Sequence, residues 1–211
     1  MTQTVTRWWW IRHAPMKGAA GRVTGQLDLD ADCSDLDRFA QLAARLPENP
    51  VWLTSQLKRA RQTLEVLQTA CGVPSGGVPS NGGGVVIERD LAEQDFGAWQ
   101  GRTYAELEET EADAYKKFWI APGTMRPPGG ESFADVMMRV ARAVEGRSEE
   151  NRNRDIVAIG HGGSIRAAVA QALGLGPARS LSLQIDPLSL TRLDRIADKS
   201  GVSWSVACVN A

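Results

Sequence analysis

Histidine is nearly absent from this chain: there are two in 211 residues, His13 and His161. Any imidazole chemistry must use one or both of them. Cysteine is scarce as well. Cys33, Cys71 and Cys208 are odd in number, far apart, and form no CxxC pair, which argues against a disulfide framework or a cysteine zinc site and fits a reducing compartment. An excess of positive charge is also lacking, since 24 Lys and Arg face 25 Asp and Glu for a net charge of -1. The simplest argument for a nucleic-acid partner is therefore gone, while a local arginine cluster can still hold a small anion. Long apolar runs are missing too. Trp8-Trp9-Trp10-Ile11 is cut short by Arg12 and His13, too early for a signal-peptide core or a membrane span. The expectation is a cytoplasmic protein with no membrane partner.

Phosphate-cradle motifs are absent from the one stretch that invites them. Cys71 to Gly84 is dense in Gly, Pro and Ser but has no GK[ST] ending and no GxGxxG, so it reads as a mobile surface loop. No internal repeat or linker divides the chain. With 43% hydrophobic residues, residues 1–211 read as a single soluble domain long enough to bury a core.

What is present is an alternation of strand and helix patterns. Val5 to Ile11, Val51 to Thr54, Val85 to Ile87 and Asp155 to Gly160 read as strands. Between them, Leu36, Phe39, Ala40, Ala43 and Leu46 fall on one helical face, with Ser34 and Asp37 as a capping box and Pro47 and Pro50 as the stop. Ser55 is placed to cap a helix from Leu57 to Ala70, and Ser132 one carrying Phe133, Val136, Met137, Val140 and Val144. Short helices fit Tyr104 to Leu107 and Ala112 to Trp119, a loop fits Ala121 to Gly130, and a further helix fits Ser164 to Leu173, closed by Gly174. The tail from Leu181 to Val209 reads as strands joined by a turn near Ser200-Gly201. Such alternation predicts an α/β fold, a three-layer α/β/α sandwich with a mostly parallel central sheet.

Both histidines stand at the carboxyl end of a predicted strand, where ligands bind in open α/β sheets. His13 follows the first in Arg12-His13-Ala14-Pro15, and His161 follows the fourth in His161-Gly162-Gly163-Ser164. Singly, each is an ordinary polar loop residue; the paired placement points to one pocket. Lys58, Arg59 and Arg61 crowd a predicted helix N-terminus, where the macrodipole disfavours cations. A bound anion would offset that conflict, and arginine suits phosphate through its two parallel hydrogen bonds. Glu93, after the third strand, can reach the same edge.

Five ordered segments then carry a resemblance: Arg12-His13-Ala14, Ser55 to Thr63, Leu91 to Gly101, Gly130-Glu131-Ser132, and His161 to Arg166. They are similar to the RHG or RHA, SxLxRAxQT, LxExxxGxWEG, GES and HGGxxR pattern of the histidine phosphatase superfamily, which includes the cofactor-dependent phosphoglycerate mutases. The chain departs from it at Ala14, Gln56 and Gln100, and Ala19 stands where many members carry a phosphate-binding Asn. The loop holding Thr24 and Gly25 is about one residue shorter than in the mutases.

The resemblance implies a phosphoglycerate mutase-like sandwich and a phosphohistidine mechanism. His13 is then the nucleophile, Glu93 the proton donor and later base, and Arg12, Arg59 and His161 the catalytic phosphate clamp. Substrate binding falls to Arg12, Arg59, His161, Thr24, Gly25 and Gly162. No metal and no cofactor are expected, and the partner is a small phosphorylated metabolite; a homodimer is left open. The chain length and the segments Thr24 to Asp28 and Phe96 to Trp99 look most like the α-ribazole phosphatase branch, with Trp99 and Trp119 as rings that could stack on a base. The alternatives are a mutase-type phosphotransferase and a non-catalytic phosphate-binding regulator.

Overall fold

The computed structural model describes residues 3–73 and 84–211, so most of the glycine-rich stretch read above as a surface loop lies outside the described residues. One six-stranded sheet organises the rest, in the order β3-β2-β4-β1-β5-β6. Its strands are β1 (Thr4–Arg12), β2 (Val51–Thr54), β3 (Val86–Ile87), β4 (Asp155–Gly160), β5 (Leu190–Asp198) and β6 (Gly201–Cys208). The first four pair in parallel, and β5 and β6 add on antiparallel beside β1.

Strand alternation divides the core between the two faces. Trp8 and Trp10 of β1 point to one side, stacked with centroids 5.1 Å apart, and pack with Leu53, Ile156 and Ala158 against α5 (Phe133–Glu150) and α6 (Gly162–Leu173). Ile11, Trp52, Val157 and Ile159 point to the other side and meet Phe39 and Leu42 of α1 (Leu36–Ala43) and Leu64 and Leu67 of α2 (Lys58–Ala70). Helices therefore cover both faces, giving the expected three layers. A smaller cluster, Val23, Trp99, Leu107 and Phe118, ties α3 (Tyr104–Thr110) and α4 (Ala112–Ile120) to the loop after β1. It forms a cap over one end of the sheet.

Several local expectations are corrected. Asp35, not Ser34, caps α1, accepting from the Arg38 N–H. Ser55 accepts from the Leu57 N–H at 3.2 Å, but α2 itself starts at Lys58 behind Leu57 without a side-chain cap, so the expected Ser55 cap falls just ahead of the helix. Helix α6 begins at Gly162 rather than Ser164. Residues 181–189 are not strand, and a four-residue helix, α7 (Pro177–Ser180), precedes them. Ser132 does cap α5, in a reciprocal box with Asp135. Among the described residues no helix is long and apolar enough to cross a membrane.

Candidate active site

The sheet register explains why distant residues meet. Arg12 of β1 lies opposite Gly160 of β4, and Thr54 of β2 opposite Ile159. The residues that follow these strands, His13, His161 and Ser55, therefore leave the sheet side by side at its carboxyl edge. The His13 N–H donates to Gly160 O at 3.0 Å, and the two imidazole centroids lie 5.0 Å apart.

His13 is buried, and its Nδ1 lies 2.7 Å from Ala14 O. A carbonyl can only accept, so Nδ1 carries the proton and Nε2 presents a lone pair. Arg59 Nε donates to that Nε2 at 3.3 Å. Burial first, then the neighbouring Arg59 and Arg12 cations, push His13 down to about 3, against the opposing pull of the Ala14 carbonyl. The ring is neutral at ordinary pH and its Nε2 lone pair is unprotonated. His161 is fully buried, with Nε2 2.7 Å from Ser55 Oγ. Burial and the nearby His13 and Arg59 hold it well below the usual histidine range, so in the free site this imidazole too is neutral.

The two arginines are anchored through backbone carbonyls. Arg12 donates from a terminal nitrogen to Ile185 O at 2.6 Å, while its buried Nε has no partner among the described residues. Arg59 donates to Leu27 O and Gly25 O, both at 2.7 Å, so it also fixes the Thr24–Gly25 loop. The charge conflict at the start of α2 is met partly by that loop: Asp28 accepts from the Lys58 N–H at 2.6 Å and Asp30 pairs with the Lys58 ammonium at 2.6 Å.

Glu93 closes the cluster. Its Oε1 accepts from the N–H of Gln94 at 2.9 Å and of Gly163 at 3.0 Å, while Oε2 has no hydrogen bond among the described residues. A methyl group on Gly162 would stand 3.7 Å from Glu93 Oε2 and 3.8 Å from Arg12 Cζ, so Gly162 sits where those two groups converge. Thr24, Gly25 and Glu93 line an adjoining cavity of about 180 Å³, walled by aromatic rings. All the predicted residues thus gather around one edge of the sheet. Among the described residues no three His, Cys, Asp or Glu side chains gather closely enough to hold a metal ion.

Sequence reasoning missed the scaffold. Ser55 holds His161, and Thr63 Oγ1 accepts from the Ala14 N–H at 2.9 Å, steadying the turn after His13. Glu131 and Arg139 form an inward-facing pair at 2.7 Å. Arg139 also donates to the carbonyls of Asp90, Ala92 and Glu93, and Glu131 accepts from the Asp95 N–H. This pair sets the Glu93 loop. Trp99 is 2% exposed and donates to Glu111, so it anchors the cap while it also lines the cavity. Trp119, 53% exposed, lines the same cavity.

Comparison with known proteins gives one consistent picture. The family model "Histidine phosphatase superfamily (branch 1)" matches residues 8–207. A metal-independent phosphoserine phosphatase of Arabidopsis thaliana is 30% identical over 183 residues, 83% of this chain and 73% of that protein. A mycobacterial glucosyl-3-phosphoglycerate phosphatase superposes with a TM-score of 0.78 at 26% identity, covering 98% of this chain and 99% of its own. A putative α-ribazole-5'-P phosphatase of Escherichia coli superposes equally well, TM-score 0.78 over 98% of this chain and 96% of its own, but at 20% identity the likeness is one of fold.

Proposed function

The chain belongs to the histidine phosphatase superfamily, and from that premise we propose that it is a phosphomonoesterase that forms a phosphohistidine at His13. The observation that carries this reading is the His13 tautomer: the Nδ1–H bond to Ala14 O leaves an unprotonated Nε2 beside two arginines. The site is a nucleophile surrounded by anion-binding groups.

In the first step the Nε2 lone pair of His13 forms a bond to phosphorus as the ester P–O bond breaks. Arg12, through its unpartnered Nε, and Arg59 stabilise charge on the non-bridging oxygens. The incoming phosphate dianion draws a proton onto His161, which then donates to it. Glu93 in its acid form gives the proton on Oε2 to the leaving oxygen, and the alcohol departs. As a carboxylate it then takes a proton from water, whose oxygen attacks phosphorus while the N–P bond breaks. Free phosphate leaves and His13 is restored. Arginines and imidazole supply all the positive charge in this scheme, so it runs without a metal.

The substrate is a small phosphomonoester. Related phosphatases are named for phosphoserine and glucosyl-3-phosphoglycerate. The exposed Trp119 ring on the cavity wall keeps α-ribazole phosphate in the set. The test is brief incubation with a labelled phosphoester in excess chelator, followed by a panel of these three compounds and 3-phosphoglycerate. The expected result is an acid-labile, base-stable label that His13→Ala abolishes, with phosphate as product. Labelling that persists in His13→Ala, activity that chelation removes, or 3-phosphoglycerate isomerised faster than phosphate is released would each overturn the reading.

A further inference from the structure

We propose that Arg166 receives an anionic substituent on the leaving alcohol, so that the substrate carries a second negative charge beyond the scissile phosphate. The inference rests on the phosphomonoesterase reading and specifies its substrate class. Arg166 lies one turn into α6, four residues after Gly162. Its Nε donates to Leu183 O at 2.7 Å, which fixes the plane of the guanidinium. Its terminal nitrogens make no hydrogen bond, and no carboxylate pairs with them among the described residues. The other arginines near Glu93 are committed differently: Arg59 to two carbonyls and His13, Arg139 to Glu131 and three carbonyls.

The direction in which Arg166 faces decides its partner. The aromatic cavity beside the site is lined by Glu93 and Arg166 but not by Arg12, His13, Arg59 or His161. It therefore adjoins the leaving oxygen rather than the phosphoryl oxygens. Among the described residues Arg166 is the one cationic side chain on its wall. A methyl group on Gly162 would come within 3.2 Å of the Arg166 terminal nitrogen, so this glycine makes room for the guanidinium to lie back toward the reacting centre. A partly buried cation without a counter-ion is costly to keep, and an anionic leaving group would supply one. It would also offset the repulsion that Glu93 imposes on any anion entering the cavity. Arginine binds carboxylate and phosphate through the same two-pronged geometry, so either group fits the chemistry.

The experiment compares kcat/KM for 3-carboxyphenyl phosphate, its methyl ester, and 1,3-phenylene bisphosphate, in the native protein and in Arg166→Gln and Arg166→Lys. The ester has the slightly better leaving group, which works against the expected order. The native protein should prefer the acid over the ester by about tenfold or more, the scale of a charge-assisted hydrogen-bonded pair. Arg166→Gln should bring that ratio near one through a selective loss on the acid, and Arg166→Lys should restore part of it. A bisphosphate preferred over the acid would support the inference with phosphate as the second anion; the reverse order would support it with carboxylate. A native ratio near one, a ratio unchanged in Arg166→Gln, or equal losses on acid and ester would overturn the inference while leaving the phosphomonoesterase reading intact. No turnover of any of the three compounds would overturn both.

Discussion

At Glu93 two backbone N–H groups hold one carboxylate oxygen and leave the other free, and this asymmetry depends on a glycine. A Cβ on Gly163 would sit well inside contact distance of Glu93 Oε1. Gly163→Ala should therefore push the carboxylate off its position without disturbing the sheet. Misplacing a reacting group by about 1 Å can cost on the order of 10²-fold, and kcat on an alkyl phosphate should fall by about that factor. Unaltered kcat would show that Glu93 position is not critical. Replacing the acid itself is more selective. Glu93→Gln should slow an alkyl phosphate by about 10²–10⁴-fold, the usual worth of acid–base assistance, while an activated aryl phosphate, whose leaving group needs no proton, loses far less in single-turnover phosphorylation. Equal losses on the two substrates would show that Glu93 only positions substrate.

Among the elements, α5 reaches the site through Arg139, which joins Glu131 to three carbonyls of the 90–93 segment. Removing one partner of this partly buried, hydrogen-bonded pair leaves the other unsatisfied, at about 1–3 kcal/mol. Arg139→Met should destabilise the fold by about that amount in urea unfolding and lower kcat by loosening the Glu93 loop. Loss of stability with full activity would show that the loop is held by other contacts. Elements of this kind mark the boundary of what the sequence reveals. The strands were legible because β1, β2 and β4 are apolar runs bounded by turns, and the placement of both histidines followed from those strands. Helix α5 was legible from its periodicity and Ser132. Arg139 was not, because its partners are mainly carbonyls, which no residue type announces. Ser55 was read as a cap because its spacing to α2 suits one; its bond to His161 depends on the pairing of β2 with β4, which is set by tertiary structure. Helix α7 has four residues, too few to show a period. The anchoring of Trp99 was not legible, because its burial and the bond to Glu111 follow from how the cap closes.

For the whole molecule, the fold keeps two imidazoles neutral inside a ring of arginines, and that arrangement makes stability depend on pH. His13 is held at about 3 against an ordinary value of 6.5, and His161 is lowered as well. Above about 6.5 neither the folded nor the unfolded chain protonates His13, so its neutral burial carries no protonation penalty. As pH falls below 6.5 the unfolded chain takes up a proton that the folded chain refuses until about 3. Stability is thus fully present above 6.5 and drains away between 6.5 and 3. The slope for one proton is about 1.4 kcal/mol per pH unit. Carboxylates add their own acid losses, so the useful quantity is the difference between two proteins. Urea unfolding at pH 7, 6, 5 and 4 should give the native protein a steeper decline than His13→Asn, by up to about 1.4 kcal/mol per pH unit. Any constant effect of the substitution shifts the whole curve and leaves this difference in slope untouched. Parallel declines would mean that His13 takes up its proton equally in the folded and unfolded chains. The neutral nucleophile, and with it the first step of the mechanism, would then have to be given up at mildly acidic pH.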